Sequence, residues 1–475
     1  MNQKLRSEAE QIMEYAIGKM LPDRAVVRAL EACGLSGRIY LAAVGKAAWQ
    51  MANAAVQYLK TPIVDGVVVT KYGHVKGDIP GVRCFEGGHP IPDENGLAGT
   101  QAILNMTADL TEQDHVLFLV SGGGSALFEQ PLVPLSDLQE LSRQLLAAGA
   151  SITEINTLRK RLSAVKGGRF AKWCEPARMD AIILSDVLGD PLDMIASGPA
   201  APDPTTCGEA LAIVEKYHLV VSGEVLSCLG RETPKELGHV TSHVIGSVGQ
   251  LCLAAAEKCR ELGYEVHMLT DRMCCEAREA GSFLASIARS GLASEERVFV
   301  TQSSLAPRES LALDGSGLLS EEGVFRDVSG TESEKKACQA VNGLASVEEA
   351  FTTGNPPIAG KKAYIAGGEC VVHLRGNGLG GRNQELALAA VEGLAGIPNA
   401  ALFSVGSDGT DGPTDAAGGY VDGESFDALA ARGIQVQDAL ARNDSYHALE
   451  AIGGLLKTGP TGTNVNDFSV VLIDV

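Results

Sequence analysis

Residues 401–420 read ALFSVGSDGTDGPTDAAGGY, an apolar run followed by a glycine-dense turn. Ala401 to Val405 predicts a buried strand, and Asp408, Asp411 and Asp415 follow its C-terminal end. In open α/β sheets ligands bind beyond the carboxyl ends of strands, where backbone N–H groups and loop side chains converge. Hard oxygen ligands there suit Mg²⁺ carried by a phosphate ligand, which makes Asp408 and Asp411 the metal candidates. Asp and Gly also build tight turns with no further role. The pattern is not a calcium loop, because Pro413 stands where that loop needs its glycine.

The same arrangement recurs along the chain. Ile39 to Val44 runs into Gly45, Lys46 and an alanine-rich helix from Ala47. An ammonium at a helix N-terminus favours an anion, although Tyr40 and Ala47 break the P-loop pattern. His115 to Val120 runs into Ser121, Gly122, Gly123, Gly124 and Ser125, whose backbone N–H groups and hydroxyls can close around an oxyanion. Met179 to Leu184 leads to Ser185, Asp186, Gly189 and Asp190. Strand, loop and helix in this rhythm predict right-handed βαβ units and a mainly parallel sheet with ligands along one edge.

Other stretches are less definite. An amphipathic helix opens the chain up to Pro22. His89 lies in a turn-rich connection, where a lone histidine is more often structural than catalytic. Arg159, Lys160 and Lys166 punctuate a helical stretch of the kind that usually forms a solvated face. Lys362 to Ala366 predicts a strand, then Gly367, Gly368 and Glu369, then a second strand from Val371 to Leu374. Residues 376–381, GNGLGG, contain G-x-G-x-x-G, a weak dinucleotide signal so late in the chain and after a hairpin-like pair. Arg382 opens the following helix, where a guanidinium can clamp carboxylate or phosphate oxygens. A glycine and hydroxyl loop, 457–467, abuts a final strand from Phe468 to Ile473.

At 475 residues, 45% hydrophobic and 21% charged, the chain exceeds one core and suits two domains. We expect them at 1–236 and 237–475, with a Ser-, Glu- and Gly-rich insert near 302–360 and a helix near 335–341 within it. The formal net charge of −20 disfavours nucleic acid and anionic membrane surfaces as partners. No run is long enough to cross a bilayer and no signal peptide is evident, so a cytoplasmic location is the default. The 11 cysteines contain no C-x-x-C and most of them read as reduced core residues; the 9 histidines show no metal spacing.

The blocks VGKAAWQMA, GGHPIPDENG, SGGGSALFEQP, LRKRLSAVKGGRFA, LSDVLGDPLDMIASGPAAPDPTT, TDRMCCEAREA, GGRNQELALAA, SVGSDGTDGPTDAAGG and LKTGPTGTNVNDF together resemble the two-domain glycerate 2-kinases, nearly end to end. The segment near 302–360 is longer than that family pattern leads one to expect. The resemblance implies transfer of the γ-phosphoryl group of ATP to the C2 hydroxyl of D-glycerate with Mg²⁺. It also implies an N-terminal Rossmann-like domain, a C-terminal α/β domain and an active site in the cleft between them, lined by Lys46 and Arg382. On this basis Lys46, Arg382 and Asp186 are the catalytic candidates, with Asp186 to orient or deprotonate the C2 hydroxyl. The binding candidates are Gly45, Ser121, Gly122, Gly123, Gly124, Ser125, Lys166, Asp190, Glu369 and Asn383. A hinge near residue 236 and closure over the substrates are expected, and a homodimer is one assembly open to such a chain. The alternative function is an NAD(P)-dependent hydroxypyruvate reductase using the 376–381 glycines.

Overall fold

The computed structural model describes residues 1–301 and 360–474. The expected insert, apart from Gly360, and the helix expected near 335–341 lie outside the described residues.

Six strands form the first sheet: β1 (Arg38–Val44), β2 (Asp65–Lys71), β3 (Val82–Gly87), β4 (Asp114–Val120), β5 (Arg178–Leu184) and β6 (Val240–Gly246). Their order is β3-β2-β1-β4-β5-β6 and every pairing is parallel. That is the doubly wound order, whose direction reverses between β1 and β4. A strand covered on both faces needs apolar residues throughout, and DHVLFLV of β4 is buried at all seven positions. The crevice at the reversal is therefore walled by the two loops that follow β1 and β4.

The second sheet comprises β7 (Glu265–Met273), β8 (Lys361–Gly368), β9 (Ala400–Gly406), β10 (Gly418–Asp422), β11 (Leu455–Leu456) and β12 (Asp467–Asp474), ordered β11-β10-β9-β12-β8-β7. Only β7 and β8 pair in parallel. The stretch 401–420 thus begins in a strand, β9, as expected, but with antiparallel neighbours. This register matters for the site: Asp467 at the start of β12 sits opposite both Gly368 at the end of β8 and Gly406 at the end of β9. Antiparallel pairing carries a strand start to the edge where two other strands end.

Three expectations need correction. Val371 to Leu374 makes no strand; Val371 forms one isolated bridge with Glu276. Backbone N–H groups that a ladder would use are taken by side chains, His373 N by Glu276 Oε1 at 3.2 Å and Arg375 N by Asn443 Oδ1 at 2.7 Å. β6 lies beyond residue 236 yet completes the first sheet. The opening helix Gln3–Lys19 belongs with the second sheet instead: the Met1 amine meets Glu424 at 2.6 Å, Asn2 N donates to Asp422 at 2.7 Å and Glu8 pairs with Lys361 at 2.9 Å. We propose that the two units divide after Gly246, with this helix returned to the second. One buried apolar cluster runs through Leu41 and Leu117 of the first sheet, Leu251, and Phe403 and Phe468 of the second, so the two units share a core.

Candidate active site

The loops at the strand-order reversal are stitched to each other. Ser121 N donates to Val44 O at 3.0 Å, Lys46 N to Gly122 O at 2.8 Å, and Ala47 N to Ser121 Oγ at 3.0 Å. Gly45 has φ 112°, and a Cβ there would lie 2.3 Å from Ser121 O, so no other residue fits this approach. The loop after β5 closes on the same point, because a Cβ on Gly122 would meet Asp186 Oδ2 at 2.1 Å. A Cβ on Gly123, at φ 83°, would lie 3.1 Å from His89 Nε2 and 3.2 Å from Lys46 Cγ. Lys46, His89 and Asp186 thus surround the two consecutive glycines Gly122 and Gly123. Behind them Phe118, Phe128 and Phe170 pack with centroids 4.9–5.7 Å apart and anchor both ends of the loop. Ala196 and Ser197, both non-glycine at positive φ, press on Gly124 and Ser125; Ser125 Oγ is 3.0 Å from Ser197 Oγ. Strain of this kind, ~1–3 kcal/mol per residue, persists where the surroundings over-determine it.

The second unit contributes the register point. Arg382 grips Asp467 with two nitrogens, Nη2 to Oδ1 at 3.0 Å, and reaches Glu369 with Nη1 at 3.2 Å. A Cβ on Gly406 would be 3.3 Å from Asp408 Oδ1 and from Asp467 Oδ1, so these carboxylates face the same spot. Burial pushes the Asp467 carboxyl up to about 6 against the pull of Arg382. For Arg382 burial is outweighed by Asp467 and Glu369, which hold the guanidinium charged.

The two halves meet. Asn466 Nδ2 donates to Asp186 O at 3.0 Å across the units. Burial pushes the Asp186 carboxyl above its ordinary range, Lys46 pulls it back and Glu369 raises it further, so all three share one electrostatic environment. Lys46 and Asp408 line a single crevice of about 500 Å³, with Lys71, His74, Lys76 and Thr461. His74 Nδ1 is 2.8 Å from Lys46 O. Burial, with Lys46, Lys71 and His74 adding, lowers the pKa of His89, leaving a neutral ring at pH 7.

Against known proteins, residues 8–230 match the family model described as a domain of unknown function, DUF4147, and residues 362–467 match the MOFRL family. The D-glycerate 2-kinase of Thermotoga maritima is 45% identical over 473 residues, covering 99% of each chain. The glycerate 2-kinase of Pyrococcus horikoshii is 35% identical over 96% of this chain and 91% of its own length. A crystal structure of glycerate kinase from Thermotoga maritima superposes with TM-score 0.83 at 45% identity, covering 99% of this chain and 100% of that one. The chain belongs to the glycerate 2-kinase family.

Not every residue expected from the resemblance to glycerate 2-kinases reaches the crevice. Lys46, Ser121, Gly122 and Asp408 line it; Gly45, Gly123 and Asp186 pack against the same loops, and Arg382 and Glu369 pair beside Asp467. Gly124 and Ser125 face away from it toward Ala196 and Ser197. Lys166 is fully buried, 2.8 Å from Glu129 Oε2 and donating to Phe128 O at 2.8 Å; it holds the far end of the glycine loop and meets no ligand space. Its neighbours Lys160 and Arg161 are equally buried around Asp203, so the basic run is an internal ion network and not a solvated face. Asp190 lies in the turn closed by its N–H to Val187 O at 3.1 Å, with Oδ1 buried and without a hydrogen-bond partner.

Asp411 is corrected most clearly. Gly381 cannot cap the helix Arg382–Leu394, and Asp411 does so from across the turn, accepting from Asn383 N at 3.1 Å and Gln384 N at 2.8 Å. With Asn383 Nδ2 also donating to it, three of the roughly four lone-pair sites of its carboxylate are engaged, which makes it a poorer metal ligand than Asp408. Asn383 is itself part of that cap, with Oδ1 accepting from Ser404 Oγ at 2.6 Å. Asp415 points outward to Lys457 and Tyr446. The G-x-G-x-x-G glycines are spent on packing: Cβ atoms at Gly376, Gly378 and Gly381 would strike Arg442 O at 2.4 Å, Asp444 Cβ at 2.5 Å and Asp411 Cγ at 2.3 Å. They offer no dinucleotide cradle. Sequence reading missed Asp467, Lys71, His74 and Lys76. Asp467 carried one signal, a carboxylate at a strand start beside a glycine loop, but only the antiparallel register gives that place meaning.

Proposed function

We propose that this chain transfers the γ-phosphoryl group of ATP to the C2 hydroxyl of D-glycerate, giving 2-phosphoglycerate and ADP. The observation that carries the reading is a crevice with Lys46 and the glycine loops on one wall and Asp408 on the other, Arg382 and Glu369 adjoining it, in a chain of the glycerate 2-kinase family. Phosphoryl transfer asks mainly for positioning and for fixed charge around the migrating group. Lys46 neutralises charge on the transferred group or holds the substrate carboxylate, and Arg382 takes the other anion. Asp186, its pKa already raised by burial, accepts the C2 hydroxyl proton as the new O–P bond forms and the bond to the ADP oxygen breaks. Asp408 and Asp467 turn oxygens to one spot beside Gly406 and Glu369 shares Arg382 with Asp467, hard oxygen donors of the kind that would hold Mg²⁺ bound with a nucleotide. The ion would supply charge neutralisation between the phosphates.

A coupled assay of ADP release on adding D-glycerate, with ³¹P NMR of the product to identify the phosphorylated carbon, tests this. ADP formation independent of D-glycerate, or hydroxypyruvate reduction by NAD(P)H without ATP, would overturn it.

A further inference from the structure

The glycine loop that walls the crevice also walls a second cavity. Ser121 and Gly122 face the crevice, whereas Gly123 and Ser125 face a separate cavity of about 680 Å³. The two cavities differ in chemistry. The crevice gathers Lys46, Lys71, His74 and Lys76, a setting for phosphates. The second is more apolar, with Ala126 and Leu138 in its wall beside His89, Glu129 and Gln139, and Ile91 and Leu146 stand at it 65% and 69% exposed. Arg159 also lines it, attracted by Glu129 of the same wall but in no ion pair within 4.0 Å among the described residues; its Nη2 is 3.4 Å from Ser142 Oγ. A planar guanidinium in an apolar pocket can stack on a flat ring or hold a phosphate. D-Glycerate, with three carbons, is far too small for this volume, which falls in the usual range for larger ligands.

We infer that this second cavity receives the adenosine end of ATP, with the phosphates passing over Gly123 and Gly122 to present the γ-phosphoryl group beside Lys46. The inference rests on the kinase reading for its choice of nucleotide. A ligand with a flat, largely apolar end and a polyanionic end matches two cavities of opposite character divided by one loop. Arg159 then lies over the base or the α-phosphate, and glycerate remains on the interdomain side.

Photolabelling of the full wild-type chain with 8-azido-ATP, with excess ATP as competitor and peptide mapping by mass spectrometry, tests the placement. ATP-protected label in 90–92 or 135–146 is expected. Protected label confined to 71–76 or 460–464, or label that ATP does not displace, overturns it. Ser142→Trp, at a half-buried position on the cavity wall, should raise KM for ATP at least tenfold and leave KM for D-glycerate within twofold; an unchanged KM for ATP counts against the inference. A wild-type chain labelled in the cavity but inactive on D-glycerate sinks the kinase reading alone. An active kinase labelled elsewhere sinks this inference alone.

Discussion

Gly122→Ala isolates the Asp186 base from the rest of the machinery. The added methyl would sit 2.1 Å from Asp186 Oδ2, short of an ordinary 3.4 Å contact by about 1.3 Å. Gly122 is not at positive φ, so its backbone accepts alanine without strain. The obstacle is the free end of one side chain, which can swing aside, and the stability cost should stay within about 1 kcal/mol. Catalysis is less forgiving, because displacing a reacting group by about 1 Å can cost on the order of a hundredfold. We therefore expect kcat to fall about a hundredfold with KM for ATP and the thermal midpoint nearly unchanged. The decisive measurement is the double variant: in an Asp186→Asn background Gly122→Ala should add little further loss, because the carboxylate it displaces is already gone. Turnover within threefold of wild type, or losses that multiply in the double variant, would refute the assignment of Asp186.

Other expectations concern the charges around it. Lys46→Met should lower kcat by about a hundredfold, corresponding to about 3 kcal/mol; because Lys46 holds the Asp186 carboxyl down, the acid limb of the pH–rate profile should also move to higher pH, and an unmoved limb in steady-state kinetics speaks against the coupling. Asp408→Asn should raise the Mg²⁺ concentration needed for half-maximal rate, whereas Asp411→Asn should leave that requirement alone and cost about 1–2 kcal/mol in urea unfolding as a lost helix cap; the reverse pattern would restore Asp411 as the ligand. Asp467 titrates at about 6 when folded against 3.8 ordinarily, so between those values the folded chain holds a proton that the unfolded chain has released. Its contribution is present below pH 3.8 and lost as pH rises through about 6, at up to about 1.4 kcal/mol per pH unit. Unfolding free energies of wild type and Asp467→Asn should diverge across that window, and parallel curves would contradict the burial argument.

What could be read from sequence follows the range of the forces involved. The strands around Ile39, His115 and Met179 were legible because a strand buried on both faces must be apolar throughout, and their strand-end glycines mark where backbones approach. Lys46, Ser121 and Asp186 could be chosen for the same reason: each follows its strand directly, and a parallel sheet delivers all such loops to one edge. Asp411 and Asp467 fared differently. Within ALFSVGSDGTDGPTDAAGGY nothing local separates Asp408 from Asp411, since their fates are decided by a helix 27 residues away whose own N-cap is a glycine. Burial of Lys160, Arg161 and Lys166 was invisible for a similar reason, because the carboxylates that make it affordable, Asp203 and Glu129, lie in other segments.

The shared core also bears on how the enzyme would close. Two units joined only by a strand would swing as rigid bodies, but a continuous buried cluster from Leu41 to Phe468 resists that, since opening it would expose apolar side chains at about 25 cal/mol per Å². The crevice loops themselves are tied to that core only lightly, through Val465 and Leu188. Thr461 and Asp408 face Lys46 across the gap, and Arg272 lies against Gly189, where a Cβ would be 3.0 Å from its Cζ. Water exclusion would then come from the 185–190 and 457–467 loops tightening over bound substrates, with the sheets held nearly still. On this account protection of those loops from hydrogen exchange, and not a change in overall dimensions, is the signature of ATP and D-glycerate binding together.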